Sequence, residues 1–304
     1  MEKVLSMKEA IEKFVHDGDS VAMGMALEPL IPFSAGHEII RQKKRNLTLI
    51  GPISDILFDQ VVGAGCVSKM IVAWVGNVTM GVGYNLRRAV ENEIPGKIDM
   101  EDFTNFSICL ALNAGAMGIP FLPTKTLLGT DMHRHNPRIK EMTCPFTGTR
   151  LALVPALNPD VAIIHAQRAD ASGNTHLWGS VGVTKEACLA SSRVIVSVEE
   201  IVDREVIVSD PNRTLIPGYL VSAVVLEPWG AHPSAAQGYY DRDHEHYVNY
   251  HKATKTEDGF VEWVDQWVFG VENRSTYMGI IGEERFGGLR VGRSRKSLSV
   301  EYGY

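Results

Sequence analysis

The sequence predicts an α/β protein: an open, mostly parallel sheet with flanking helices, followed by a helical C-terminal extension. Three observations carry this. Short apolar runs rich in Val and Ile are bounded by Pro, Gly, Asn or Asp. These runs alternate with helical patterns of about 10–15 residues, the arrangement of βα units. From about Arg242 the chain turns charged and aromatic, with Trp263, Trp267 and Phe269 at helical spacing, as expected of helices packed on the outside of a sheet.

The first helix is announced by Ser6-Met7-Lys8-Glu9, a capping box in which Ser6 takes the N3 amide and Glu9 reaches back. Apolar Ala10, Ile11, Phe14 and Val15 recur behind it, and Asp17-Gly18-Asp19 stops it. Ser20 to Gly24 reads as a strand, Phe33 to Arg45 as a helix, and Asn46 to Ile53 as a buried strand. Ile56 to Val62 is expected helical, Lys69 to Val75 a strand, and Tyr84 to Glu93 a helix. Phe103 to Thr124 carries no charged residue, yet it holds Asn, Thr, Ser, glycines and prolines; a membrane span wants about 20 predominantly apolar residues. It reads instead as a buried helix over 105–117 followed by a buried strand. The runs Leu151 to Val154, Val161 to His165, Arg193 to Val198 and Leu220 to Leu226 complete the sheet.

At 304 residues the chain buries enough surface to fold without staples. A formal charge of −6 excludes a dedicated nucleic-acid binder, which needs a basic excess. Cys66, Cys109, Cys144 and Cys188 are widely scattered with no CxxC, so each is expected to be a small buried residue in a reducing compartment. The N-terminus has no apolar h-region of a signal peptide, and together these predict a cytoplasmic location without membrane contact.

Several motifs fail their tests. Gly81-Val82-Gly83 lacks the third glycine of a dinucleotide fingerprint, no P-loop occurs, and Trp178-Gly179-Ser180-Val181-Gly182 is not a nucleophile elbow. His133 and His135 are expected at the surface. Asp243, His244, His246 and His251 fall on an expected helix where His244 and His251 share a face but His246 does not; they read as solvated polar residues, and no metal site is expected. The 28 glycines are more informative. Gly24, Gly51, Gly76, Gly129, Gly179 and Gly230 follow expected strands, at the sheet edge where ligands bind. Backbone amides there approach an anion or a thioester oxygen closely. Phe121 to Gly129 reads either as an active-site rim or as plain strand-end punctuation. Trp229-Gly230-Ala231-His232-Pro233-Ser234 places an imidazole at the same edge.

These stretches resemble the A subunit of family I coenzyme A transferases, the glutaconate type above all. The resemblance rests on Asp17-Gly18-Asp19, on Val21-Ala22-Met23-Gly24-Met25 and its loop to Pro32, and on Leu86 to Glu91. It continues through Ala114 to Pro123, Asp160 to Asp170, Gly173 to Gly179 and Gly230 to Ser234. It covers 1–270 as one domain, leaving 271–304 as an extension of unassigned role. It implies a ping-pong exchange of CoA between an acyl-CoA and a free acid, through a glutamate on a partner B subunit. Neither Glu-Asn-Gly nor Glu-Ser-Gly occurs here, which implies that this chain is A and works only with B, as a heterotetramer or hetero-octamer. No permanently bound cofactor is implied; the CoA thioester is substrate.

On that resemblance the site wall is expected at Gly24, Met25, Gly76, Asn77, Gly179, Ser180, Gly230 and His232. Met25 departs from the family's glycine pair, and the loop 26–32 offers Glu28 but no Lys or Arg, which points to a less charged acyl group unless Arg168 or Arg134 reaches in. Basic runs at Lys43-Lys44-Arg45 and Arg87-Arg88 are expected to be solvated helix faces. Two alternatives remain at this stage. A ring-opening hydrolase or a decarboxylase is one, and the hydrolase would take as its carboxylate Glu101, expected beside Asp102 at the start of the uncharged helix. A non-catalytic CoA-ester-binding or scaffolding subunit is the other.

Overall fold

The computed structural model describes residues 3–291, so part of the expected 271–304 extension lies outside the described residues. In chain order the elements begin α1 (Met7–Phe14), β1 (Ser20–Ala22), α2 (Phe33–Arg41), β2 (Leu47–Ile53), α3 (Asp55–Gly63), β3 (Val67–Trp74), α4 (Tyr84–Asn92) and β4 (Asp99–Asp102). There follow α5 (Asn105–Met117), β5 (Phe121–Thr124), α6 (Asp131–His135), β6 (Lys140–Thr143), β7 (Arg150–Pro155), β8 (Val161–Ala169), β9 (Thr175–His176) and α7 (Thr184–Ala190). The remainder is β10 (Arg193–Ile201), α8 (Arg204–Val208), β11 (Thr214–Ile216), β12 (Ala223–Leu226), α9 (His244–Ala253), α10 (Glu257–Val264), α11 (Arg274–Ile281) and α12 (Glu283–Leu289).

Among the described residues the main sheet has nine strands. Its parallel body runs β12-β10-β8-β1-β2-β3-β4. β9 pairs antiparallel with the far end of β8, and β11 with β9. The order grows outward from β1 in one direction through β2 to β4, then restarts at β8 and grows the other way. The boundary between β1 and β8 is therefore the topological switch point, where an open α/β sheet leaves a crevice outside its carboxyl ends.

The continuous apolar runs arise because these strands are covered on both faces. Val21, Leu49, Met70, Ile163 and Val225 pack on one side with α1, α2, α3 and the C-terminal helices. Their neighbours Ala22, Ile50, Ile71, Ile164 and Val224 pack on the other side with α5 and α7. The side-chain period of two divides each run between two cores. The α1 capping box is formed as expected: the Glu9 N–H donates to Ser6 Oγ at 3.2 Å and the Ser6 N–H to Glu9 Oε2 at 2.9 Å.

Some expectations are corrected. The helix from Phe33 ends at Arg41, and Gly51 lies within β2 instead of following it. The strand after α5 is not buried: β5 joins β7 and β6 in a separate antiparallel sheet with one face open, and Phe121 is exposed. Glu101 and Asp102 do not begin a helix; they lie in β4, and Thr104 caps α5. Cys66 and Cys188 are buried, but Cys109 and Cys144 are not fully so. Among the described residues no helix is long and apolar enough to cross a membrane, and no group of His, Cys, Asp and Glu side chains is placed to hold a metal ion.

Candidate functional site

Backbone strain marks the carboxyl edge of the sheet. Leu27 (φ 74°) and Leu30 (φ 57°) follow β1, Asp55 (φ 51°) follows β2, and Trp229 (φ 63°) follows β12. A left-handed conformation costs a residue with a side chain roughly 1–2 kcal/mol, so such residues persist where surrounding structure insists on them, commonly at functional sites.

At the β1–β2 end the chains touch. Gly24 has φ 69°, and a Cβ there would collide with Ser54 Oγ. That hydroxyl donates to the Met23 carbonyl at 2.8 Å, sewing the β1 loop to the end of β2. One residue on, Asp55 has no solvent exposure. Its carboxylate accepts from the Val78 N–H at 3.0 Å and from Arg242 Nη2 at 2.7 Å. Burial pushes the Asp55 carboxyl up to about 6, against the pull of Arg242. Arg242 lies 3.9 Å over the Tyr247 ring and donates through Nη1 to Glu28 Oε2 at 3.1 Å. Its Nε is buried without a hydrogen-bond partner among the described residues. The cation missing from the loop 26–32 thus comes from the C-terminal part of the chain. Neither Arg168 nor Arg134 supplies it: Arg168 donates to His176 Nδ1 at 3.1 Å, and Arg134 pairs with exposed Asp131.

The expected wall residues separate into two groups. Gly24, Met25, Gly179 and Ser180 come together at the switch point: the Met25 carbonyl accepts from the Val183 N–H at 2.9 Å, and Ser180 Oγ donates to the Ala26 carbonyl at 3.4 Å. Gly76 and Asn77 lie beside them across Asp55. Asn77 is buried; its Nδ2 donates to the Tyr247 carbonyl at 2.8 Å and its Oδ1 accepts from the Thr79 and Met80 amides, both at 3.0 Å. That turn leaves Met80 and Val82 exposed at the rim.

Gly230 and His232 are placed behind this edge. A Cβ on Gly230 would lie 2.8 Å from His165 Cε1. The His165 Nε2 is 2.7 Å from Glu199, whose carboxylate also accepts from Tyr240 Oη at 2.7 Å and the Trp229 N–H at 2.9 Å. His232 is fully buried, with Nε2 3.0 Å from Asp243 and Nδ1 3.0 Å from Tyr277 Oη. A carboxylate only accepts, so Nε2 carries the proton and Tyr277 donates to Nδ1. Burial lowers His232 to about 4 and keeps it neutral. Asp243 is also held by Arg285 and caps α9, while His246 is buried against Trp263 and Trp267. The expected solvation is corrected here: Asp243 and His246 are interior, because the tail folds back over them.

Glu101 is a buried member of an ion-pair cluster, 3.0 Å from Lys69 and 3.1 Å from Arg138. A cavity of about 410 Å³ opens beside it, lined by Ala73, Asp102, Phe103, Met132 and Asn136. The basic runs act locally: Arg45 and Arg88 donate to backbone carbonyls, and Arg87 pairs with Glu91.

At this edge Asp55 is bound to Arg242 and Glu199 to its three donors, while Glu28 reaches Arg242 from a mostly exposed side chain. The arrangement offers strained loops, turn amides and a largely buried guanidinium. Such a set of groups can hold an anionic group once Glu28, whose side chain is mostly exposed, turns away from Arg242.

Comparison with known proteins agrees with the fold. The coenzyme A transferase family model matches residues 4–227. The chain is 41% identical to the A subunit of the 3-oxoadipate CoA-transferase of Pseudomonas knackmussii, covering 93% of this chain and 99% of that one. It is 34% identical to the A subunit of the glutaconate CoA-transferase of Acidaminococcus fermentans, over 96% and 95% of the two chains. The crystal structure of the glutaconate coenzyme A-transferase of Acidaminococcus fermentans superposes with a TM-score of 0.91 at 32% identity, over 98% of each chain.

Proposed function

The chain belongs to the coenzyme A transferase family and is of the A-subunit type; from that premise we propose that it forms, with a B-type partner, a ping-pong enzyme that moves CoA between a short dicarboxylic acyl-CoA and a free acid. The observation that carries this is the match over nearly the whole length to A subunits of transferases. The attacking carboxylate then comes from the partner. It forms an acyl anhydride with release of the CoA thiolate, which attacks the enzyme-bound carbonyl, leaving a partner-bound CoA thioester and a free acid; an incoming acid reverses the steps. This chain supplies the wall: the loops after β1, β2 and β3 exclude water and orient the acyl group. Both named relatives are described by dicarboxylates, 3-oxoadipate and glutaconate, and in this chain Arg242 brings a cation to the loop after β1. That supports a charged acyl group over the neutral one that the loop's own composition favours.

The test compares the purified chain with the co-purified complex for CoA exchange between acyl-CoAs and acids. Exchange by the complex and none by the chain alone is expected. Turnover by the isolated chain at the rate of the complex overturns the shared-site reading. Release of free CoA to water outrunning transfer to any acid overturns transfer as the reaction.

A further inference from the structure

Arg242 has two partners of opposite character. Asp55 behind it is fully buried, and its backbone is pinned by β2 and α3. Glu28 in front has a side chain 59% exposed, against 11% for Arg242. An ion pair with one exposed member contributes only about 0–1 kcal/mol, whereas removing a partner from a buried pair is strongly costly. One contact is therefore permanent and the other exchangeable.

The loop carrying Glu28 is itself held. Leu27 and Leu30 flank it in left-handed conformations. The Glu28 carbonyl accepts from Ser234 Oγ at 2.6 Å, and the Leu30 N–H donates to the Ala235 carbonyl at 2.8 Å. With the backbone clamped, rotation of the Glu28 side chain alone uncovers Nη1. An incoming carboxylate restores the same charge-assisted hydrogen bond that Glu28 gives up, so exchange is close to even in direct bonding. Both carboxylates cannot share Nη1 without like-charge repulsion.

We propose that Arg242 is the subsite for the free carboxylate of the dicarboxylic acyl group, and that Glu28 fills it as an internal stand-in until substrate displaces it. The proposal rests on the transferase reading above and deepens it: Arg242 sets acyl specificity, and Glu28 sets how tightly a dicarboxylate binds.

The test uses the co-purified complex and the first half-reaction, so that no acceptor has to be chosen. Formation of the CoA thioester on the partner is followed by mass spectrometry with glutaryl-CoA and with valeryl-CoA, which has the same carbon count without the second carboxylate. The wild-type complex is expected to prefer glutaryl-CoA by about 100-fold in rate over half-saturation. Arg242→Gln is expected to bring that ratio to near one. Glu28→Gln is expected to raise it about fivefold, through a lower half-saturation concentration for glutaryl-CoA. A merely structural role moves both acyl-CoAs together and leaves the ratio alone. A ratio unmoved in both variants overturns the subsite alone; a wild-type ratio near one overturns the subsite and the dicarboxylic acyl group with it, while CoA transfer itself stands. No thioester with either compound overturns the transferase reading and the subsite with it. If Arg242→Gln does not assemble, Glu28→Gln decides, since its side chain is mostly in solvent.

Discussion

The Arg242 guanidinium meets the Asp55 carboxylate at 2.7 Å, with Asp55 itself held at φ 51°. Removing the carboxylate strands a largely buried cation. Asp55→Ala is expected to cost about 3 kcal/mol or more in urea unfolding. Asp55→Asn is expected to cost about 2–3 kcal/mol: Asn tolerates the left-handed region and keeps an oxygen for the Val78 N–H, but it turns an amide N–H toward Arg242 and leaves the cation without its countercharge. A loss below about 1 kcal/mol in both variants would mean that the pair does not organise this edge.

Acid is expected to loosen the C-terminal helices first. Burial holds His232 at about 4 and His246 at about 3, whereas both titrate near 6.5 when unfolded. Between those values the unfolded chain binds more protons, so stability falls as pH drops from 6.5 toward 4. Asp243 acts in the same direction below 3.8: burial raises its carboxyl, but hydrogen bonds from His232 and Arg285 outweigh that and hold it low. Trp267 and Trp263 lie 5.2 and 6.3 Å from the His246 ring, so tryptophan emission reports the change. A red shift on acidification, complete before the far-ultraviolet signal of the sheet is lost, is the expected result; coincident transitions count against it.

Gly24→Ala introduces two separable penalties, a left-handed alanine and a collision with Ser54. A loss of about 2 kcal/mol or more is expected. Adding Ser54→Gly is expected to return the steric part and not the conformational part. A double-variant cycle with no coupling would show that the contact bears no load.

Glu101→Gln breaks the cluster with Lys69 and Arg138 at strand β4. A stability loss of about 1–3 kcal/mol is expected, since Lys69 and Arg138 are both part-exposed and solvent replaces some of the interaction. Transferase turnover of the assembled complex is expected to stay within about twofold of wild type. Abolished turnover in a complex that melts normally would bring this carboxylate into the chemistry.

Much of this molecule is legible in its residues wherever signals are local. The capping box at Ser6 and Glu9 and the punctuated Val and Ile runs each specify their own few residues, and the helix and strands form where they point. What escapes such reading depends on distant packing. Phe121 to Thr124 is apolar, yet it pairs into a small sheet with an open face, because Lys140–Thr143 and Arg150–Pro155 lie beside it. Helix spacing shows which residues share a side of α9 but not what folds over that side, so the burial of Asp243 and His246 leaves no local mark. Arg242 leaves no trace in any motif, since its meaning comes from Asp55 and Glu28, two loops near the other end of the chain.

The span between Asp55 and Arg242, 187 positions, has a consequence for biosynthesis. A nascent polypeptide emerging from the ribosome lays down β1 to β4 and their helices long before the guanidinium arrives. Until then Asp55 lacks the countercharge that Arg242 brings, and the crevice lacks that cation. Completion of the acyl subsite is therefore a late event of synthesis, and any fragment ending before Arg242 would carry the scaffold without it.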